Sequence, residues 1–357
     1  MASETISAQA MNGGDGQFSY ARNSEFQGRG VETAKGLINQ AISEELDIKQ
    51  VISSSKIFVV ADLGCSVGPN TFYAVQNIID SVKLKCSEKE LEFQVYFNDL
   101  VSNDFNTLFR SLPSDRQYYA SGAPGSFHKR LFPKASLHFV HSSYGLQLLS
   151  STPEELTDKN SPAYNKGRIY YGRSRNEVVA AYSGEFSKET ESFLDARAQE
   201  IVSGGLMALI VPCLPDGLPP GECAVVAYAD LLGDCLMDMA KLGLLDEAQV
   251  DSFNLPSYFP IRQELKTLLK RNPYFTIERF EPLALSAQRE LAINIPTVVS
   301  HLRAVLEGLV KKHFGNDIIE DLFFRFSNKI EESSMCSPSS IYKPPVENVI
   351  VLKRTSI

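Results

Sequence analysis

Asp62-Leu63-Gly64-Cys65-Ser66-Val67-Gly68 stands between a short apolar run, 56–61 (KIFVVA), and a stretch whose apolar residues Phe72, Val75, Ile78, Ile79 and Val82 recur at helical spacing. A glycine-rich turn from a buried strand into a helix lets backbone N–H groups and the helix N-terminus approach a ligand, and the acid can hold a polar or cationic group. A plain β-α turn uses glycine for geometry in the same way. The next predicted strand, 91–97, ends in Asn98-Asp99, where an acid in a Rossmann-like sheet can accept two ribose hydroxyls. The glycines do not follow G-x-G-x-x-G, so the pair of signals favours a nucleoside such as S-adenosylmethionine. A nicotinamide cofactor and a purely structural turn are the other two readings. A third predicted strand, 136–140, ends in His141-Ser142-Ser143-Tyr144 and would face the same crevice, because open α/β sheets bind ligands outside the carboxyl ends of their strands.

The elements that must position these residues follow from periodicity. Ala34, Leu37, Ile38, Ala41, Ile42 and Leu46 predict an amphipathic helix over 31–46. A fourth central strand is expected over 204–212 after a helical pattern at 188–202, and Pro212, Pro215, Pro219 and Pro220 then break the alternation. Long amphipathic helices are predicted over 224–244 and 293–314, and returning strands over 274–280 and 348–353. The fold class is α/β, a Rossmann-like parallel sheet with a helical cap domain. Its expected divisions are an N-terminal lid segment at 1–30, the core at 31–212, a mainly helical cap with an inserted strand at 213–330, and a linker with a returning strand at 331–357. A disordered tail is the alternative for the first 30 residues, although their Asn, Tyr, Ser and Gln cluster is dense.

The chain has 357 residues, with 43 Asp and Glu against 35 Lys and Arg, for a net charge of −8. That balance argues against a nucleic-acid partner, which needs a basic stripe. No apolar run reaches the roughly 18 residues of a membrane span, and residues 1–16 lack a basic and an apolar leader region, so a cytoplasmic protein is expected. The six cysteines are scattered without metal-ligand spacing and are expected as reduced thiols. Tryptophan is missing altogether.

Several motifs, in order along the chain, resemble the SABATH methyltransferases of plants. They are M-N-G-G-x-G-x-x-S-Y-A-x-N-S-x-x-Q at 11–27, A-D-L-G-C-S-x-G-P-N-T at 61–71, F-N-D-L at 97–100 and N-D-F-N-x-L-F at 103–109. P-G-S-F at 124–127, H-S-S-Y at 141–144, Y-N-K-G-R at 164–168 and D-S-F-N-L-P at 251–256 complete the set. The resemblance implies a class I methyltransferase sheet that binds S-adenosylmethionine, a small-molecule acceptor and a homodimer. It places Ser24, Gly64, Asn70, Asp99, Leu100, Ser126 and Phe127 at the methyl donor, with Asp99 on the ribose and Ser126 and Phe127 beside the adenine. Ser143 lies with them at the third strand end. Tyr20 and Gln27 fall where the N-terminal segment closes over donor and acceptor. Asn165, Asp251, Phe253 and Asn254 fall where some members are described as holding Mg2+, and loop capping explains Asn165 and Asp251 equally well.

One departure bears on the acceptor. Members that methylate carboxylates usually carry a Trp after H-S-S-Y, whose indole N–H grips the carboxylate together with the Gln of the N-terminal motif. Here Leu148 stands in that place, and a buried carboxylate left with Gln27 alone is poorly compensated for its desolvation. Either Gln147 or His128 replaces the donor, or the acceptor is not a carboxylate. An enol acceptor benefits from a group titrating near neutrality, which makes His128 a candidate base, with a purely hydrogen-bonding His as the alternative. His141 is expected to order its loop, His138 to be structural, and His301 and His313 to sit in the rear helical segment. Tyr144, Gln147, Leu148, Leu302 and Val305 are expected around the acceptor, and Val211 and Cys213 are expected to add apolar lining. The expected function is O-methylation of an acidic oxygen, enol or carboxylate, on a small apolar metabolite such as an iridoid, terpenoid or monoterpene indole alkaloid. The alternatives are N-methylation of a heterocycle and a non-catalytic S-adenosylmethionine-binding homologue.

Overall fold

The computed structural model describes residues 8–52, 56–86, 91–283, 294–333, 335 and 340–356. Seven strands form one sheet: β1 (Ile57–Leu63), β2 (Glu92–Asp99), β3 (Tyr119–Pro124), β4 (Leu137–Ser143), β5 (Ile201–Cys213), β6 (Phe275–Pro282) and β7 (Val346–Arg354), in the spatial order β3-β2-β1-β4-β5-β7-β6. The first five are parallel, and β7 runs antiparallel between β5 and β6. The strand order runs outward in opposite directions from β1 and from β4, so the connections after their carboxyl ends leave toward opposite edges of the sheet, the place where such sheets bind ligands.

Strand residues alternate between two cores. Phe58, Val60, Val95, Phe97 and Phe139 face one layer, where α2 (Glu25–Glu45) and α4 (Pro69–Lys85) pack through Ala34, Ile38, Val75 and Ile78. Ala61, Leu63, Val140, Met207 and Leu209 face the other, covered by α6 (Asn176–Glu200), α7 (Ala224–Lys241) and α11 (Ile319–Glu332). Burial on both faces is why these strands read as continuous apolar runs.

Three elements escape the periodicity reading. Strand β3, with the sequence YASGAP, is a half-exposed edge of small residues with no apolar alternation. Helix α9 (Arg262–Arg271) and α11 were not anticipated, although α11 has a strongly one-sided apolar face of Leu322, Phe323, Phe326 and Ile330. Helix α6 begins at Asn176, well before the 188–202 pattern, and passes into β5 without a loop. Val211 and Cys213, at the end of β5, are fully buried in the sheet, so they do not present the apolar lining expected of them around the acceptor. Five of the cysteines are free thiols, and Cys336 lies outside the described residues.

From residue 8 onward the N-terminal segment is stitched down. Ala8 N–H donates to Ser150 O and Asn12 N–H to Ala304 O of α10 (Ile295–Phe314), both at 2.9 Å. Gly14 N–H donates to the Asp104 carboxylate at 2.9 Å, which also caps α5 (Phe105–Arg110) through Thr107 N–H. Phe18 lies under the Arg303 guanidinium, 3.8 Å from its ring centre. The segment leads through α1 (Tyr20–Asn23) into α2, which is locked to the sheet by Tyr144. That hydroxyl donates to Glu347 of β7 at 2.8 Å and passes so close to Gly30 that a Cβ there would lie 1.8 Å from it. Gly30→Ala should therefore push Tyr144 off Glu347 and lower stability by about 1 to 3 kcal/mol, the usual cost of overpacking a core. A denaturant midpoint equal to that of the parent chain would contradict this packing.

Candidate active site

At the end of β1 the chain turns through Gly64, whose φ of +80° is the left-handed region that glycine enters without penalty. The N–H groups of Gly64 and Cys65 both donate to Asn98 O at 2.9 Å, tying the ends of β1 and β2 together. Asp99 then receives Ser66 N–H at 2.8 Å on one oxygen and Leu100 N–H at 2.7 Å on the other. Burial pushes its carboxyl up to about 6 against the pull of those two N–H groups. Each oxygen keeps a further lone pair, so the carboxylate can accept two hydroxyls of a ribose. Ser66 Oγ, beside it, is buried with no hydrogen-bond partner among the described residues, as a polar group awaiting a ligand would be. These features fit an adenosyl group.

Asp62 is committed elsewhere. It accepts from His141 Nδ1 at 2.6 Å and from the Thr71 hydroxyl, a buried pair that binds β1, β4 and α4. His141 thus orders its loop, as expected, and Ser142 Oγ on the same turn donates to Leu63 O at 2.8 Å. Ser143, half-buried, ends β4 in register with Ile210. His138 accepts Val59 N–H and stacks on Phe58, a structural place.

Two sides of the crevice are built from distant segments. The first is Ser126-Phe127, where the Phe127 ring lies against Gly64 and Gly145, 3.6 Å and 3.5 Å from where Cβ atoms would stand. This loop is held by a buried ion pair that sequence reasoning missed. Arg197 pairs with Glu200 at 2.6 Å and donates to Phe127 O and Lys129 O, while Glu200 accepts from Leu131 and Phe132 N–H. Both lie inside what reads as an ordinary amphipathic helix. The second side is the N-terminal segment. Asn70 at the start of α4 donates to Ser24 O and Oγ at 3.0 and 3.1 Å, and Gly28 leaves room for its side chain. The Tyr20 ring lies beside Gly68, and burial next to the Asp99 charge holds its phenol protonated, well above the usual range.

On the acceptor side the residues sort differently from expectation. Leu148, Leu302 and Val305 are half-buried. Gln147 Nε2 donates to Tyr144 O at 2.7 Å and its Oε1 is buried without a partner among the described residues, so the amide presents an acceptor and not the expected donor. Tyr144 is turned away, with its φ of +55° sending the ring against α2 and β7. His128 is not a free base. Its Nε2 lies 3.2 Å from Leu148 O and 3.5 Å from Glu189 Oε2, its Nδ1 3.4 Å from Glu189 O, and burial lowers it to about 4. Glu189, pushed up to about 7 by burial, accepts Ser150 N–H on both oxygens. The group that sequence reasoning missed is His301. Gln27 Nε2 lies 3.3 Å from its Nε2, and its Nδ1 lies 2.7 Å from Asn23 O. No local signal marks it, because 274 residues separate the pair.

Asn165, Asp251, Phe253 and Asn254 form a cluster of their own, with every side-chain oxygen engaged. Asn165 accepts from Ser174 and donates to Asn254 Oδ1 at 2.7 Å, and Asp251 accepts from Tyr164 OH and Gly167 N–H. Phe253 is fully buried against His313 and Phe314. The polar atom left over is Asn254 Nδ2, an N–H donor that would repel a cation. One carboxylate and an unpaired donor do not fit Mg2+, and the loop-capping alternative describes the cluster.

The family model of SAM dependent carboxyl methyltransferases matches residues 7–355. Loganic acid O-methyltransferase of Catharanthus roseus is 44% identical over 358 residues, 98% of this chain and 95% of that one. Farnesoic acid carboxyl-O-methyltransferase of Arabidopsis thaliana is 42% identical over 348 residues, 96% of this chain and 98% of that one. A solved loganic acid methyltransferase with S-adenosylhomocysteine superposes with a TM-score of 0.92 at 43% identity, covering 97% of this chain and 99% of that one. With the methyl-donor crevice built as described and the likeness spanning nearly the whole chain, this protein belongs to the SAM dependent carboxyl methyltransferases, the SABATH family, and is an S-adenosylmethionine-dependent O-methyltransferase.

Proposed function

We propose that the protein methylates an acidic oxygen of a small apolar metabolite of the iridoid, terpenoid or monoterpene indole alkaloid type, and that it takes an enol in preference to a free carboxylate. The observation that carries this reading is the polarity of the acceptor side. Leu148 contributes no donor, and Gln27 and Gln147 each keep a buried carbonyl oxygen without a partner among the described residues. Two acceptor oxygens suit a hydroxylic acceptor and oppose a carboxylate, whose charge they cannot compensate. The names of the similar enzymes, for loganic acid in Catharanthus and farnesoic acid in Arabidopsis, support a small acidic metabolite as the substrate class, and the preference for an enol rests on the acceptor-side polarity alone. A homodimer and a cytoplasmic setting belong to the same reading through the family resemblance.

S-adenosylmethionine supplies an electrophilic methyl on a sulfonium, so the acceptor oxygen's lone pair forms the O–C bond as the C–S bond breaks. The chain's own residues contribute position and dryness. Asp99, Ser66 and the wall of Phe127 fix the nucleoside, Ser24 with Asn70 closes the N-terminal segment over it, and Leu148, Leu302 and Val305 exclude water from the acceptor. His128, held neutral with both nitrogens against protein groups, takes no proton from the substrate, so an acidic enol binds as the hydroxyl on a glutamine carbonyl oxygen and releases its proton to solvent as the O–C bond forms.

Asp99 must be ionised to accept two hydroxyls, and its carboxyl stands at about 6. Cofactor affinity, measured by calorimetry, should thus be flat above pH 7 and weaken toward tenfold per pH unit below about 6. The sign for stability is opposite. Its raised value means that this group favours the cofactor-free fold below pH 4 and loses that contribution as pH rises through about 6. An Asp99→Ala protein with unchanged affinity would overturn the assignment. For the acceptor, Leu148→Trp restores an N–H donor, and kcat/KM on carboxylate acceptors should rise by about tenfold or more, the worth of a hydrogen bond to a charged group, while the enol rate does not. Equal carboxylate rates in the two proteins would remove the basis for preferring an enol.

A further inference from the structure

Resting on that reading of the acceptor site, we propose that His301 of α10 is a positioning residue that selects which end of the Gln27 amide faces the methyl acceptor, and so sets whether the site receives a hydroxyl or a carboxylate. The hydrogen bonds decide the tautomer. A backbone carbonyl, Asn23 O, lies 2.7 Å from Nδ1, and a carbonyl can only accept, so Nδ1 carries the proton. Nε2 is then a bare lone pair, and the Gln27 atom 3.3 Å from it must be the NH2. The amide is thereby fixed with Oε1 on its other side, buried and without a partner among the described residues. Gln27 stands one residue before Gly28, which packs on Asn70 at the cofactor crevice, and its neighbour His301 precedes Leu302 on the cap helix. The amide therefore lies between methyl donor and cap, and a neutral His301 makes it a hydrogen-bond acceptor.

Protonation reverses this. An imidazolium donates from both nitrogens, so Gln27 must turn Oε1 toward His301 and present its NH2 to the acceptor, the arrangement that suits a carboxylate. A carboxylate acceptor should then bind with uptake of one proton. Burial holds His301 below its ordinary value, so the neutral form prevails at neutral pH. The titratable and charged groups on the surrounding elements are Tyr20 and Arg22 of α1, Glu25 and Arg29 of α2, paired at 2.5 Å, Arg303 and Glu307 of α10, paired at 2.5 Å, and Glu320 of α11, 2.9 Å from Arg303. Among the described residues no carboxylate lies within ion-pair distance of the ring, so a bound carboxylate would be its first anionic neighbour.

The test uses the full-length protein at saturating S-adenosylmethionine, with a carboxylate acceptor that stays ionised from pH 5.5 to 8.5. KM for that acceptor should fall as pH falls, approaching tenfold per unit, while kcat changes less than about twofold. His301→Gln, which keeps a donor and an acceptor but cannot titrate, should abolish this slope and leave cofactor affinity intact; Glu189 and Asp99 titrate alike in both proteins, so the difference isolates His301. His301→Leu should raise KM for an enol acceptor by about tenfold. A slope surviving in His301→Gln, or KM values unmoved in His301→Leu, would overturn the proposal. If no acceptor of either class is turned over, the functional reading fails and the histidine is still decided by nitrogen NMR, made tractable by only five histidines. His301 should be the Nδ1–H tautomer and Gln27→Met should shift its Nε2 resonance; the other tautomer, or no shift, would overturn it.

Discussion

The hydrogen bonds that tie the end of β1 to the end of β2 are the constraint from which the rest of the site follows. Asn98 O receives two successive N–H groups from the glycine turn, and Asp99 receives two more. Four donors thus converge on two adjacent residues. The cost is a carboxylate held in a partly buried place, and the chain meets that cost with backbone dipoles and not with a cation. Each oxygen of a carboxylate so arranged keeps a free lone pair, so it can accept two further hydrogen bonds, which is why the paired hydroxyls of a ribose suit it.

Everything beyond that crevice is brought to it by segments far away in the chain. The N-terminal segment reaches Ser150, Asp104 and Ala304 before it enters α2, and α2 is then clamped by a tyrosine from the end of β4 that reaches β7. The Phe127 wall of the crevice depends on an arginine–glutamate pair inside α6. Removing one partner of such a pair leaves a buried charge uncompensated, so the loop and the helix stand or fall together. To the proposed acceptor side α10 brings the half-buried Leu302 and Val305 and the histidine that lies against Gln27.

The fold was largely legible because strands buried on both faces leave dense apolar runs, as in 56–61 and 204–212, and long helices leave one-sided periodicity. Strand β3 was not, because an edge of small residues needs no apolar pattern to pair through its backbone. The residues that the structure gathers at the carboxyl ends of β1 and β2 were legible as motifs at strand ends. Tyr144 turns away from where it was expected, and of the two readings of His128 the hydrogen-bonding one describes its surroundings, since residue type and proximity to a motif do not say which way a side chain turns. Tyr144 follows a left-handed backbone step into the opposite core, and His128 is enclosed by α6 and the Leu148 carbonyl.

By itself the sequence determined the α/β architecture, the S-adenosylmethionine-dependent family and the absence of a donor side chain at Leu148, because each is written in local pattern or in residue identity. Only the tertiary structure decided what the acceptor meets. Whether an amide offers its oxygen or its NH2, and whether a histidine is a base or a buried tie, depends on partners hundreds of residues away. Hydrogen-bond polarity is a property of the pair, and the pair exists only once the chain has folded.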